Sequence, residues 1–311
     1  MKILIINVAG IGDFFELIRW LYLVKKQKPY FIVDILVSDR IYDYAKDCPY
    51  VRKVYSFKTC KQNVSLSFLN LFTLLKIKRE KYDVILNTFP TCSLFGDVKF
   101  LIMLFFLKNK NMITFGPLWK ERLNIYDRNI VLDKIEYKSI FESFGIFNED
   151  IYKNIIWKKN DEISYKFYFL KNFIFFNPFT NFFKKDIPEK LILFIIEKFA
   201  KLNYNLVFFS NSFKKVFDIY NFIDENLKKR CFIFTKGNTY EFIYLIEKSE
   251  FVITADTSSL HIASVLNKKV YCIFPDFSYR MHEPYNIKNV KYINFGNTIE
   301  YFNNNFEIFE K

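Results

Sequence analysis

Short runs of β-branched and aromatic residues alternate along the chain with longer stretches whose apolar positions recur at helical spacing, a pattern that predicts strand–helix–strand units built on parallel sheets. Ile3–Val8 reads as a first buried strand, Asp13–Lys26 as a helix, Phe31–Val37 as a strand and Asp39–Asp47 as a helix. Val84–Asn87 has the composition of a strand, and Lys99–Leu107 that of a helix with a buried face. From Trp157 to Tyr165 the chain turns polar, and then the alternation restarts. It predicts strands over Phe173–Asn177, Leu206–Ser210, Cys231–Phe234, Phe251–Thr254 and Val270–Ile273. Helices are predicted between them, over Glu189–Leu202, Phe213–Asn226, Thr239–Lys248 and Ser258–Leu266. The restart sets a boundary between an N-terminal segment, 1–160, and a C-terminal segment, 161–311, each of ordinary domain size. The expected fold class is α/β: two Rossmann-like, doubly wound parallel-sheet domains facing a cleft. Ligands are expected where loops and helix N-termini meet at the carboxyl ends of the strands.

Composition narrows the function classes. Of 311 residues, 51% are hydrophobic and 25% charged, with 7 Gly and 8 Pro, so the chain buries a large core and is neither disordered nor fibrous. The formal charge is +13, and forty residues are Phe. An AT-rich genome writes Lys- and Phe-rich chains without functional need, whereas a binding surface concentrates its charge. Segment 1–160 holds 26 basic against 16 acidic residues, net +10, and 161–311 holds 20 against 17, net +3. Such a field attracts phosphates of nucleic acid, of anionic lipid or of a phosphorylated glycolipid. Five scattered cysteines form no C-x-x-C pair, so neither a disulfide framework nor a thiolate metal site is expected, and a reducing cytoplasm fits best. The N-terminal apolar run is short and flows into a Gly-rich turn, unlike a signal peptide. The greasiest other run, Phe100–Leu107, is eight residues long, against the roughly 20 needed to span a bilayer.

Three loops carry candidate chemistry. Gly10-Ile11-Gly12-Asp13 follows the first strand and opens a helix, where glycines let the backbone turn and approach a ligand. Position 15 is Phe, so the run is not a dinucleotide fingerprint. Asp13 fits two roles, a helix N-terminal cap or a general base for a substrate hydroxyl. Thr254-Ala255-Asp256-Thr257-Ser258-Ser259-Leu260-His261 again joins strand to helix, and its hydroxyls and amides suit either a phosphate or a capped helix. His261 and His282 are the only two histidines, and His282 lies in the loop after the next strand, so the two can converge on one sheet edge. The third loop, Asn177 to Pro188, contains Thr180, Lys184 and Lys185 and precedes a helix; its lysines are either solvated or poised against a departing anion.

Together and in this order the loops resemble the ADP-heptose:lipopolysaccharide heptosyltransferases, glycosyltransferase family 9. The family's strand followed by G-x-G-D is matched by Val8-Ala9-Gly10-Ile11-Gly12-Asp13. Its K-R-W-P is matched at Lys185 and Pro188, with Asp186 and Ile187 in place of Arg and Trp. Its D-T-G-x-x-H is matched by Asp256 to His261, followed by Pro275-Asp276 and Glu283-Pro284-Tyr285. The resemblance implies a GT-B fold with an N-terminal acceptor domain and a C-terminal nucleotide-sugar domain, whose last helix packs back on the first. It implies inverting, cofactor-free and metal-independent transfer of a heptose from ADP-heptose to a hydroxyl of a lipopolysaccharide or lipooligosaccharide core. The catalytic base would be Asp13, with Gly10 and Gly12 forming the turn near the acceptor. Lys185, Asp256, Thr257, Ser258 and His261 would hold the donor diphosphate and sugar, joined by Thr180, Ser259 and His282. An anionic glycolipid acceptor implies a cytoplasmic protein resting peripherally on the inner membrane.

Departures leave the donor open: Ser258 replaces the motif's Gly, and the loop after Leu206–Ser210 lacks the acidic residue that commonly meets the nucleotide ribose. An inactive family member serving as a glycan- or nucleotide-binding scaffold is the alternative. A nucleic-acid-binding reading has charge and aromatics in its favour, but no recognition motif, and most Phe fall inside apolar runs.

Overall fold

The computed structural model describes residues 1–8, 10–60, 63–64, 68–88, 102–103, 106–107, 112–115, 130–132, 137–149, 156–157, 161–180, 185–210, 212–235, 237–275, 287–305 and 309. The chain forms two compact units, Met1–Trp157 and Lys158–Lys311.

In the first unit, β1 (Lys2–Asn7) leads into α1 (Ile11–Gln27), followed by β2 (Ile32–Ser38), α2 (Asp39–Ala45) and β3 (Lys53–Phe57). A two-residue hairpin follows, β4 (Thr59–Cys60) with β5 (Asn63–Val64), then α3 (Phe68–Arg79), β6 (Val84–Asn87), β7 (Met112–Phe115), β8 (Ile130–Leu132) and α4 (Tyr137–Ser143). The six-stranded sheet has the order β3-β2-β1-β6-β7-β8 and is parallel throughout. Crossovers that cover both faces explain why β1 and β6 are apolar at nearly every position, with Ile3, Leu4, Ile5, Ile6, Ile85 and Leu86 all buried.

The second unit repeats the plan. α5 (Asp161–Lys166) precedes β9 (Phe173–Asn177), α6 (Glu189–Lys201), β10 (Asn205–Phe209), α7 (Phe213–Asn221), α8 (Glu225–Lys228) and β11 (Cys231–Phe234). Then come α9 (Thr239–Lys248), β12 (Val252–Thr254), α10 (Ser258–Val265), β13 (Val270–Phe274), β14 (Val290–Asn294) and α11 (Thr298–Asn304). Its parallel sheet runs β11-β10-β9-β12-β13-β14, so both sheets reverse direction between their first and fourth strands. The phenylalanines find their use here: Phe199, Phe251, Phe302 and Phe309 pack edge-on or tilted around Tyr271, at centroid distances from 5.2 to 5.8 Å. The last helix, α11, packs on α6 and β14 of its own unit, where Phe302 is fully buried.

The expected helix over Phe213–Asn226 is two pieces, because Asp224 accepts from the Asn226 amide at 2.8 Å and starts a new cap. With the division at Trp157, the first unit carries 24 basic against 16 acidic residues and the second 22 against 17, so net charges of +8 and +5 replace the sharper contrast expected.

A buried charge fixes one edge of the first sheet. Asp34 on β2 is fully buried and accepts from Arg52 Nε at 2.9 Å, Arg52 Nη2 at 2.5 Å and the Tyr82 hydroxyl at 2.6 Å. Glu80 beside it pairs with Lys2, Arg52 and Lys53, and the hydrogen bonds from Lys2, Lys53 and Arg52 hold its carboxyl far below the usual carboxylate range. A carboxylate depressed in the folded state gives stability that is present above its unfolded pKa, near 4.5, and is lost as pH falls through the folded value. Urea midpoints of the wild type should therefore decline below pH 4.5, and those of Glu80→Gln should decline less steeply. Equal acid slopes would contradict the assignment.

Candidate functional site

In the first unit β1 ends at Asn7, and Gly10 stands at the N-cap of α1 with φ −75° and ψ 172°. That extended backbone does not demand glycine. A Cβ at Gly10 would lie 3.1 Å from Asp13 Oδ2, tight enough to push that carboxylate aside by a few tenths of an ångström. Gly10 N–H donates to that same oxygen at 2.8 Å, so Gly10 and not Asp13 holds the N-cap, Asp13 reaches back to it as the third residue of the helix, and Gly12 is the second. Beneath the turn lies a polar cluster that the sequence did not announce. Asn7 Nδ2 donates to Thr88 Oγ1 at 2.9 Å, Thr88 donates to Ile6 O at 3.0 Å, and both side chains are buried at the ends of adjacent strands. The buried Tyr137 of α4 hydrogen-bonds with Thr88 and Asn7, and its phenol is held well above its ordinary range by burial, then by the charges of Glu16 and Asp13. Tyr137, from a helix more than a hundred residues away in sequence, thus joins the polar cluster at the end of β1.

In the second unit two of the expected loops converge. Lys185 Nζ donates to Asp256 Oδ2 at 2.8 Å, linking the loop after β9 to the loop after β12. β9 and β12 are neighbouring strands with Asn177 beside Thr254 in register, which is why the two loops meet. Asn177, nearly buried, is the hinge of the arrangement: its amide oxygen accepts from Ser259 Oγ at 2.6 Å while its nitrogen donates to Phe209 O and Phe179 O. Thr257 caps α10, accepting from the Ser259 amide at 3.2 Å on Oγ1 and from the Leu260 amide at 3.0 Å on its carbonyl.

The capped-helix reading of the Asp-Thr-Ser run is thus realised at Thr257. Ser259 is fully buried and committed to Asn177, a scaffold position rather than a surface donor to phosphate. Among the described residues no internal partner is found for the amides of Thr257 and Ser258, as is usual in the first turn of a helix. Asp256 and His261 are partly exposed at the same helix start. The Thr180 amide donates to Asp186 Oδ1 at 2.6 Å, and Asp186 Oδ2 pairs with Lys215 at the start of α7. Lys215 also lies 5.6 Å from the Phe179 ring centroid. Asp186, which replaces the motif's Arg, thus ties the loop to a second lysine, a link across 29 positions with no local signal in the sequence. His282 lies outside the described residues. No group of three or more His, Cys, Asp or Glu among the described residues has metal-binding geometry.

Solved structures with similar folds span nearly the whole chain. The E. coli ADP-heptose lipopolysaccharide heptosyltransferase II has a TM-score of 0.71 at 16% identity, covering 94% of this chain and 90% of that one. A glycosyltransferase family 9 structure from Veillonella parvula has a TM-score of 0.74 at 13% identity, with coverage of 97% and 88%. E. coli heptosyltransferase WaaC, solved with ADP, has a TM-score of 0.68 at 13% identity, with coverage of 99% and 98%. These likenesses show the fold, the GT-B architecture expected from the sequence. No curated protein sequence matches the chain. The family model for glycosyltransferase family 9 (heptosyltransferase) matches residues 134–304, more than half of the chain. The chain therefore belongs to glycosyltransferase family 9, the heptosyltransferase family, and is a glycosyltransferase.

Proposed function

We propose that this glycosyltransferase moves a heptose, or a related sugar, from ADP-heptose to a hydroxyl of a lipopolysaccharide or lipooligosaccharide core, with inversion at the anomeric carbon. The observation that carries the reading is the Lys185–Asp256 pair at the start of a capped helix, beside the amides of Thr257 and Ser258. A diphosphate leaving group needs positive charge and aligned donors, and this lysine with these amides supplies both without a metal ion. Asp13 takes the proton of the acceptor hydroxyl as its oxygen attacks the anomeric carbon, and the bond to the diphosphate breaks. His261 and Asp256 orient the sugar or its diphosphate. Backbone amides and hydroxyls discriminate phosphates better than sugars, so ADP-heptose rests on the family resemblance and on a WaaC relative solved with ADP. An anionic core acceptor fits the positive charge of the first unit, and we place the enzyme peripherally on the cytoplasmic face of the inner membrane. No helix among the described residues is long and apolar enough to cross one.

Two measurements test this. Incubation of a nucleotide-sugar mixture with a truncated core glycolipid, read by mass spectrometry, should show transfer of one sugar mass. Nucleotide binding with neither transfer nor donor hydrolysis would favour the scaffold alternative instead. ADP should raise the melting temperature, because a ligand bound only by the native state stabilises it by about 2.7 kcal/mol at a hundred times its Kd. Lys185→Ala should weaken ADP by at least about tenfold, the worth of one charge-assisted hydrogen bond. An unchanged Kd would remove Lys185 from the donor site.

A further inference from the structure

Helix α3 of the first unit has two unlike faces. Leu74 and Ile77 are buried in a core shared with Leu4, Ile6, Met103 and Leu107. On the outside, Leu71, Phe72 and Leu75 are 41%, 50% and 38% exposed. Lys76, Lys78 and Arg79, all exposed, follow within the last turns, and the helix contains no acidic residue. The helical residues 102–103 and 106–107 enter the same core beside it and add Ile102, 52% exposed. The two segments touch across a cation–π contact, with Lys78 Nζ 4.8 Å from the Phe106 ring centroid, while Lys76 Nζ lies 4.8 Å from that of Phe72. Glu80, the next acid along the chain, is already engaged by Lys2, Arg52 and Lys53, and among the described residues no ion pair is found for Lys76, Lys78 or Arg79.

We propose that this face of α3, with Ile102 beside it, is the surface by which the enzyme lies on an anionic bilayer. Four large apolar side chains held in water beside three cations are the composition of an interfacial helix, whose apolar face enters the acyl boundary while Lys and Arg meet lipid phosphates. A second copy of this chain fits less well, because a two-fold contact would bring Lys76, Lys78 and Arg79 against themselves. Nucleic acid fits less well again, since Leu71, Leu75 and Ile102 offer no ring on which a base stacks, and the exposed ring of Phe72 already carries Lys76. The inference deepens the proposed function and rests on it for its purpose, bringing the enzyme to a membrane-embedded acceptor. The binding itself is measured apart from the reaction.

Full-length protein is sedimented with vesicles of phosphatidylcholine alone and of phosphatidylcholine mixed with phosphatidylglycerol. The wild type should bind the mixed vesicles, and rising salt should weaken it. The triple variant Lys76→Gln, Lys78→Gln, Arg79→Gln should lose about fivefold per charge, on the order of a hundredfold in all, and most of its salt dependence. Phe72→Ser with Leu75→Ser should lose about tenfold or more on mixed vesicles. Both variants should keep the wild-type melting shift with ADP and the wild-type rate on a water-soluble truncated acceptor. Three results would overturn the proposal: no vesicle binding by the wild type, variants that bind as the wild type does, or a wild-type dimer on size exclusion that Phe72→Ser with Leu75→Ser dissolves. Vesicle binding that behaves as stated without transfer to any soluble acceptor would uphold the surface and reject the proposed reaction.

Discussion

Asp13→Asn is expected to lower the transfer rate by about three orders of magnitude, within the range a positioned general base contributes, and to leave the melting temperature unchanged. The geometry makes the substitution discriminating. Asp13 Oδ2 accepts the Gly10 amide at 2.8 Å, a bond that an asparagine oxygen preserves, so Asn removes proton-accepting ability and keeps the cap. Asp13→Ala removes both, and should add a stability loss of about 1 kcal/mol to the same loss of rate. Single-turnover rates with donor saturating, beside thermal melts, separate the two contributions. A folded Asn variant with the wild-type rate would confine Asp13 to capping.

Asp34→Ala should destabilise the first unit by about 3 kcal/mol, read by urea unfolding followed by circular dichroism. The carboxylate is fully buried and accepts from both Arg52 and Tyr82, so its removal strands a nearly buried phenol and one arm of a guanidinium. Arg52 is 38% exposed and can rehydrate, which places the loss at the low end of what breaking a buried pair costs. Tyr82→Phe, which leaves the ion pair intact, should cost about 1 kcal/mol. A loss below that from Asp34→Ala would mean that the cluster contributes little beyond its packing.

The second unit was legible because its strands are short, apolar and separated by helices of clear periodicity; Phe173–Asn177, Cys231–Phe234 and Thr239–Lys248 fall where the pattern predicts. Helix α3 escaped detection for a physical reason. Its sequence is apolar on nearly all sides, so no stripe marks an inner face, and the surplus is the set of side chains it leaves in water. Strands β3 and β14 mix lysine and serine or asparagine with apolar residues and are only partly buried, so they lack the continuous run of a central strand. In the candidate site, the loops were visible through their glycines, hydroxyls and lysines. The side chains that shape them were not: Asn177 acts through Ser259, Asp186 through Lys215, and Tyr137 through Thr88 and Asn7, each pair joined only by the fold.

The stack of Trp157 on Tyr44, with ring centroids 4.4 Å apart, closes the first unit, and Trp20 stacks on Phe141 within it. All three tryptophans of the chain, Trp20, Trp119 and Trp157, belong to that unit, while the second is furnished with phenylalanine and tyrosine alone. Indole fluorescence is consequently a reporter of one half of the molecule. If the donor binds the second half, as proposed, it shifts an indole-detected melting curve only to the extent that the halves unfold together, so the intrinsic dye of this enzyme measures their cooperativity without a label.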